Sequence, residues 1–338
     1  MRVLSRLAFR SLAFAGLLLA GGQAFAAESL AAKGFQYYEI GDVESQRAAV
    51  TEPAMMLMGG GEWVPEAFHW WLQKAGNGHI VILRASGADD MQEEMYREIG
   101  GAESVQTLVF NSRQAADDPA VLRVVRAADG IFIAGGDQSR YIRYWKGTAL
   151  NEALNQHVRD GKPIGGTSAG LAILGAYSYG ALDGGSVTSS KALQDPLGSA
   201  VTMDSGFLDM PYLSNVVTDT HFAKRDRLGR LIAFVAKAGR EHGKKDVVGI
   251  GVDEATALCV DADGTGRVYS NSHGLAWPVM PVESASQLDE GRPLGFQSIP
   301  VTGVGEDSVL HLDGFRVENP AFVATADVED GYLSMRTE

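Results

Sequence analysis

The sequence contains one cysteine, Cys259, in 338 residues. No internal disulfide can form, even in an oxidising compartment. Cys259 lies in the apolar run Ala257–Val260, which predicts a buried strand residue and not a thiol nucleophile. No H-E-x-x-H motif or cysteine pair is present, so the sequence predicts no metal site.

Positive charge is also scarce. Lysine and arginine number 29 against 42 aspartates and glutamates, which gives a formal net charge of −13. Nucleic acids and anionic membranes attract basic proteins, so this balance argues against both as partners. The same balance is compatible with a cationic substrate, although many proteins are acidic for solubility alone.

Long hydrophobic runs are missing except for Ala13–Ala20 near the N-terminus. Three arginines precede this run, and Ala24–Ala26 follow it as an A-x-A cleavage site. The run is too short to cross about 30 Å of hydrocarbon. We therefore predict a signal peptide over residues 1–26. The mature protein would be free of the membrane, in the periplasm or the extracellular medium.

Short apolar strands alternate with helices between residues 54 and 260. The predicted strands span residues 54–58, 79–83, 104–110, 130–134, 215–219, 247–252 and 255–260. The predicted helices span residues 65–75, 91–99, 119–128, 141–158 and 228–238. This alternation predicts a three-layer α/β/α fold whose sheet is mostly parallel.

The segments outside this alternation are less regular. Residues 27–50 resemble a mixed leader, and residues 177–215 an irregular excursion with a short helix. Short strands and turns from about residue 263 predict an antiparallel β-rich appendage. We predict one domain over residues 27–338, with a core at about 53–262 and the appendage at about 263–338.

One glycine-rich turn carries the pattern G-x-S-x-G, with Gly166, Ser168 and Gly170 in its three fixed places. Small neighbours let the backbone turn sharply, which exposes the serine hydroxyl. The N–H of Ala169 is then free to face a developing oxyanion. An ordinary glycine-rich turn can share this pattern, so the assignment of a nucleophile elbow requires partners for the serine.

A serine nucleophile needs a base that is oriented by a carboxylate. Among seven histidines, His221 follows a predicted strand and precedes a helix, at the sheet edge where α/β proteins bind ligands. Glu254 follows another predicted strand and would reach the same edge. Asp253 and Asp219 compete with it, and the sequence does not distinguish whether Asp253 or Glu254 faces His221. A capping or buried role is the structural alternative for His221.

Arg225, Arg227 and Arg230 lie within six residues of one another, directly after His221. Guanidinium groups bind carboxylates with two parallel hydrogen bonds, so this block suits an anionic ligand. A solvated basic face paired with Asp226 explains the same pattern.

Three motifs occur together, at residues 165–170, at 219–222 with the arginines that follow, and at 249–257. With them, the chain from about residue 55 to 260 resembles the cyanophycinases and their relatives in the dipeptidase E group of serine peptidases. The segment Gly135–Gln138 is similar to the family's Gly-Gly-Asn-Gln turn.

The resemblance implies a fold like that of the flavodoxin-like class I glutamine amidotransferases, with serine in place of their cysteine. It implies Ser168 as nucleophile, His221 as base and Glu254 as the orienting acid. It implies the N–H groups of Gly136 and Ala169 as oxyanion donors. The positions implied to bind substrate are Gln138, Asp219, Thr220, Arg225, Arg227 and Arg230.

The family's substrate is cyanophycin, a polyaspartate with arginine on each β-carboxyl, which is released as β-Asp-Arg dipeptides. The resemblance implies no cofactor and no metal. The sequence departs from the family at Thr220, usually glutamine, and at Asp137, usually asparagine.

These departures leave open a dipeptidase or isopeptidase for other aspartate-containing peptides. A non-catalytic exported binding protein on the same scaffold is a third alternative. The sequence does not determine the oligomeric state and leaves a homodimer open.

Overall fold

The computed structural model describes residues 34–337. The strands are Phe35–Gly41 (β1), Ala54–Met58 (β2), His79–Arg84 (β3), Ser104–Phe110 (β4), Gly130–Ile133 (β5), Ile164–Thr167 (β6), Tyr177–Tyr179 (β7), Met203–Ser205 (β8), Val216–Asp219 (β9), Val248–Val252 (β10), Thr256–Asp261 (β11), Thr265–Ser270 (β12), Ala276–Val279 (β13), Phe296–Gly303 (β14), Val309–His311 (β15), Arg316–Glu318 (β16), Phe322–Glu329 (β17) and Tyr332–Thr337 (β18). The α-helices are Pro65–Lys74 (α1), Asp90–Glu93 (α2, continued by a π-helical turn), Pro119–Ala127 (α3), Gln138–Trp145 (α4), Ala149–Arg159 (α5), Ser189–Gln194 (α6) and Leu228–His242 (α7). The predicted signal peptide lies outside the described residues.

The larger sheet has the strand order β1-β4-β3-β5-β6-β2-β11-β12-β15-β16. Its neighbours β4, β3, β5, β6 and β2 are parallel, as predicted for the alternating segment. β1 and β11 flank these five strands with antiparallel pairing, so the parallel arrangement does not extend to the sheet edges. The strands and helices together confirm the predicted α/β fold.

The second sheet has the order β18-β17-β14-β13-β10-β9-β7-β8. Only β7, β9 and β10 pair in parallel within the described part of this sheet. The strands after residue 262 divide between the two sheets: β12, β15 and β16 extend the larger one, and β13, β14, β17 and β18 extend the second. This C-terminal region is antiparallel, as predicted, but it completes both sheets and is not added at one edge.

Strand β2 shows how the layers are held together, because all five of its residues are buried. Met55 and Leu57 pack in a cluster with Trp145 of α4, whereas Met56 and Met58 pack in another with Trp71 of α1. Alternate side chains of one strand therefore face helices on opposite sides of the sheet. Each fully buried Leu or Met stabilises this arrangement by roughly 1.5–3 kcal/mol.

Several predicted boundaries are wrong. The helix predicted over residues 141–158 is divided into α4 and α5, because Gly147 has a φ of +68° and the Thr148 hydroxyl caps the Asn151 N–H. The predicted leader contains β1, which pairs with β4 along its whole length. The predicted excursion contains the short helix α6, as expected, and also the strands β7 and β8, which were not predicted.

Cys259 is buried in β11, as predicted, and burial raises the pKa of its thiol well above the usual value. Across residues 34–337, we find no helix with the length and apolar character that a membrane crossing requires.

Candidate active site

Ser168 follows β6 directly and adopts a φ of +51°, in the left-handed region that non-glycine residues rarely occupy. Its N–H donates to the carbonyl of Met58 at 3.1 Å, which ties the turn to the neighbouring strand β2. A Cβ on Gly170 would lie 2.1 Å from the Ile133 carbonyl oxygen, so only glycine fits there. The turn is therefore the sharp elbow that the G-x-S-x-G pattern predicts, followed by a short 3₁₀ turn, Leu171–Ile173.

Ser168, His221 and Glu254 form one hydrogen-bonded line. Ser168 Oγ lies 2.8 Å from His221 Nε2, and His221 Nδ1 lies 2.7 Å from Glu254 Oε1. With Nδ1–H donating to the carboxylate, Nε2 is left to accept the serine proton. The imidazole is mostly buried, and the glutamate is about one-third exposed. This is the geometry that a serine nucleophile with a general base requires.

The geometry distinguishes the two candidate acids beside His221. Asp253 Oδ1 accepts from the Ala223 N–H at 2.8 Å. Asp253 Oδ2 accepts from the N–H of Leu275 and the indole of Trp277, at 2.9 and 3.1 Å. Its carboxylate therefore faces other partners, and Glu254 is the acid in contact with the imidazole.

The glycine turn after β2, Gly59–Gly61, supports both the base and the acid. The Gly59 carbonyl accepts from the His221 N–H at 2.7 Å, and the Gly60 carbonyl accepts from the Ala255 N–H at 2.8 Å. A Cβ on Gly60 would lie 2.4 Å from His221 Cε1. The direct contact of this turn with the imidazole was not predicted.

Burial lowers the pKa of His221, the Glu254 hydrogen bond raises it in part, and the charges of Arg225 and Arg227 lower it further. The hydrogen bond from His221 lowers the pKa of Glu254. At neutral pH the imidazole is therefore neutral and the carboxylate charged. A neutral imidazole beside a serine hydroxyl can act as a general base.

Gly136 and Ala169 lie beside Ser168 on the wall of one cavity of about 290 Å³. Within residues 34–337, neither backbone N–H donates a hydrogen bond. Beneath them, the Tyr141 hydroxyl contacts the carbonyl oxygens of Ala134 and Gly135 at 2.8 and 2.9 Å, which braces the Gly136 turn. Two free N–H groups beside a nucleophile suit an oxyanion.

Four of the six residues predicted to bind substrate line the same cavity: Gln138, Thr220, Arg225 and Arg227. The exposed Arg225 side chain makes no hydrogen bond or ion pair within the described chain. Arg227 is mostly buried and donates to the Thr220 carbonyl and Oγ1 at 2.7 and 3.0 Å. Burial lowers the pKa of Arg227 to about 10, so it remains cationic at neutral pH.

Asp219 and Arg230, the other two positions implied to bind substrate, do not line the cavity and are buried behind its wall. Arg230 donates to both carboxylate oxygens of Asp219, at 2.7 and 2.5 Å, and both residues are 2% exposed. Arg227 lies 3.6 Å from the same carboxylate, so two guanidinium groups share one negative charge. The excess positive charge is held directly beneath the cavity.

Four residues of the segment 181–186 also line the cavity, namely Ala181, Gly184, Gly185 and Ser186, and no sequence motif pointed to them. Ser186 Oγ accepts from Arg230 at 2.9 Å, which fixes the segment to the buried arginine. Its richness in glycine, serine and aspartate indicated only an irregular loop. Within residues 34–337, no group of three or more His, Cys, Asp or Glu side chains is arranged to hold a metal ion.

Comparison with known proteins identified relatives of this chain. Residues 88–194 match the model of peptidase family S51. A cyanophycinase of Synechococcus elongatus is 34% identical over 247 residues, 71% of each chain. A cyanophycinase of Trichormus variabilis is 30% identical over 233 residues, 66% of this chain and 72% of its own. The solved structure of a peptidase from an acI-B1 actinobacterium is 17% identical, with a TM-score of 0.46, and covers 84% of this chain and 97% of its own.

We expect Gly60→Ala to lower kcat for peptide hydrolysis about 100-fold. The added methyl group would displace the imidazole, and a displacement of about 1 Å can reduce catalysis by that factor. Gly206→Ala is the matched control, because Gly206 also has a positive φ but no atom within 4 Å of an added Cβ. Equal activities of the two folded variants would contradict the supporting role of Gly60.

We expect the acid limb of the pH profile of kcat/KM to have its midpoint below the usual histidine pKa of about 6.5, because the base must be neutral. Arg225→Gln removes a charge that lowers the pKa of His221, so the limb should move to higher pH. Lys224→Gln also removes one positive charge, one residue earlier in the chain, and should move the limb less. Rate measurements across pH test this, and an unmoved limb in Arg225→Gln would refute it.

Proposed function

Because the chain belongs to the cyanophycinases of peptidase family S51, and is therefore a serine-type peptidase, we propose that it hydrolyses cyanophycin to β-Asp-Arg dipeptides. The observation that carries this proposal is the hydrogen-bonded line Ser168–His221–Glu254, at 2.8 and 2.7 Å, on the edge of a cationic cavity. We assign the catalytic roles to these three residues.

In the proposed reaction, Ser168 Oγ attacks the peptide carbonyl carbon while His221 Nε2 takes the hydroxyl proton. The oxyanion of the tetrahedral intermediate receives hydrogen bonds from the N–H groups of Gly136 and Ala169. The imidazolium, stabilised by Glu254, then donates its proton to the departing amine. Water hydrolyses the acyl-enzyme by the same proton transfers and restores the serine.

Charges on the cavity wall support this substrate class. The cationic Arg225 and Arg227 suit carboxylates of a polyaspartate backbone. Asp137 is the one carboxylate among the described residues that line the cavity, and it suits an arginine side chain of the polymer. The Gln138 side chain, which makes no hydrogen bond within residues 34–337, is available to a peptide group.

A second candidate is a dipeptidase or isopeptidase that acts on other aspartate-containing peptides. The observation in its favour is Thr220, whose hydroxyl accepts from Arg227 at 3.0 Å. Where relatives usually offer a longer glutamine amide, this side chain is short and already occupied by the cavity wall. The pocket beside His221 is consequently different in shape from that implied by the family resemblance.

The proposal predicts release of soluble dipeptide from insoluble cyanophycin granules by the wild-type protein. Ser168→Ala should abolish release, because removal of a catalytic serine costs about a million-fold in a serine protease. Amine release and granule turbidity measure the reaction, and circular dichroism verifies that both proteins are folded. Hydrolysis by folded Ser168→Ala would refute the role of Ser168.

A soluble substrate pair separates the two candidates. Cyanophycinase activity requires cleavage of β-Asp-Arg oligomers in preference to peptides with α-linked aspartate. If folded wild type cleaves only the α-linked peptides, the second candidate replaces the first. If it cleaves neither and Ser168 resists a fluorophosphonate, the non-catalytic alternative gains support.

We propose export to the periplasm or the medium, on the basis of the arginine-led apolar run and the A-x-A site before Ala27. Mass spectrometry of the protein purified from fractionated cells tests this. We expect a chain that begins near Ala27 in the exported fraction. A cytoplasmic chain that retains Met1 would refute export.

A further inference from the structure

We propose that Asp253 is a positioning residue that fixes the His221–Glu254 pair to the C-terminal strand β13. The proposal rests on the catalytic roles assigned above to His221 and Glu254. It gives the C-terminal region a function in the reaction, although no residue after 262 lines the cavity among those described.

The Asp253 carboxylate is buried and receives three hydrogen bonds from two separate segments. One comes from the N–H of Ala223, two residues after His221, at 2.8 Å. The other two come from Leu275 N–H and Trp277 Nε1, at 2.9 and 3.1 Å. In return, the Asp253 N–H donates to the Leu275 carbonyl at 3.0 Å. Charged acceptors make the stronger class of protein hydrogen bonds, so this carboxylate is a firm link.

The turn that carries His221 docks stepwise on the strand that carries Glu254. The Phe222 N–H donates to the Val252 carbonyl at 3.2 Å, and the Ala223 N–H donates to Asp253. A Cβ on Gly251 would lie 2.3 Å from the Phe222 ring, which shows how closely the turn is seated. Since Asp253 also precedes Glu254 directly, any movement of Asp253 would displace the base and the acid relative to each other.

Trp277 completes the link from the C-terminal side. Its indole donates to Asp253, and its ring packs against Phe222 with centroids 5.6 Å apart. The same ring meets Phe322 of β17 at 4.9 Å. Trp277 therefore contacts both segments that position the catalytic pair, one by a hydrogen bond and one by packing.

The two regions pack closely at Gly274. A Cβ on Gly274 would lie 2.1 Å from Thr256 Oγ1 and 3.0 Å from Asp253 Cβ. Residues 274–277 are consequently seated directly on residues 253–256. Packing this close can hold Asp253 in one position, which a flexible contact could not do.

The test uses Asp253→Asn and Trp277→Phe in the full chain. Asparagine retains the size of aspartate but presents an NH₂ group to one of the donors, whereas phenylalanine retains an aromatic ring, although a smaller one, and loses the indole donor. We expect kcat to fall about 100-fold in Asp253→Asn and several-fold in Trp277→Phe, with KM within about threefold. The double variant should lose less than the product of the two single losses, because both remove the same link.

Ser308→Ala is the matched control for a purely structural effect. The buried Ser308 hydroxyl donates to the Asn319 carbonyl at 2.6 Å in the same C-terminal region, away from the catalytic pair. We expect it to lower the unfolding temperature and leave kcat unchanged. If Asp253→Asn and Trp277→Phe do the same, Asp253 is not a positioning residue. If Asp253→Asn does not fold, Trp277→Phe decides between the same two outcomes.

A substrate-independent measurement separates failure of this proposal from failure of the proposed function. The proton between His221 Nδ1 and Glu254 should give a downfield NMR resonance in the resting protein, assigned by its loss in Glu254→Gln. We expect this resonance to shift or broaden in Asp253→Asn and to stay unchanged in Ser308→Ala. An unchanged resonance in Asp253→Asn would overturn the proposal, whatever substrate the wild type cleaves.

Discussion

The hydrogen bond between His221 and Glu254 joins residues that are 33 positions apart, and the surrounding structure is arranged to make it. Strands β9 and β10 are parallel neighbours, with Asp219 opposite Gly251, so both strands end at the same edge of the sheet. The turn Gly59–Gly61 then receives an N–H from each of them. Without this common support, the imidazole would not be held in the tautomer and orientation that the serine requires.

Backbone strain marks the same residues. Ser168, His221 and Ala255 all have φ values near +50°, a conformation that is unfavourable for residues other than glycine. Such strain costs roughly 1–3 kcal/mol per residue and persists only where the surroundings over-determine it. Here each strained residue donates its N–H to a carbonyl of β2 or of the turn that follows it, with acceptors Met58, Gly59 and Gly60. The buried strand β2 and the turn that follows it therefore support all three strained residues.

The sequence predicted the elbow at Ser168 from the glycines that flank the serine next to an apolar strand. An ordinary glycine-rich turn shares this pattern, so the assignment also depended on partners from other parts of the chain. The sequence also predicted that His221 and Glu254 lie at the same edge of the sheet, because both follow apolar strands. It could not separate Glu254 from Asp253, since adjacent residues differ only in the side of the chain that they face. That choice depends on the contacts of Asp253 with Ala223 and Trp277, which are tertiary and have no local pattern.

The arginines show a further limit of prediction from sequence. Arg225, Arg227 and Arg230 have similar surroundings in the sequence, but the first is exposed, the second forms part of the cavity wall and the third is buried on Asp219. A run of charged residues does not predict how deeply each side chain is buried, because burial of an arginine depends on a carboxylate partner from another element. β1 and the split between α4 and α5 were missed for a related reason. Pairing with β4 and the conformation of Gly147 define them, and apolar periodicity defines neither.

The shared carboxylate of Asp219 connects binding with catalysis. One negative charge between Arg227 and Arg230 leaves the wall beneath the cavity positively charged. That charge attracts carboxylates. Burial is the main cause that lowers the pKa of His221, and the charges of Arg225 and Arg227 lower it further, which keeps the base unprotonated. Glu254 opposes this effect through its hydrogen bond, so the imidazole is neutral before attack and stabilised once it takes the serine proton. The cations that suit an anionic substrate and the acid that suits an imidazolium therefore have opposite effects on the pKa of the same ring.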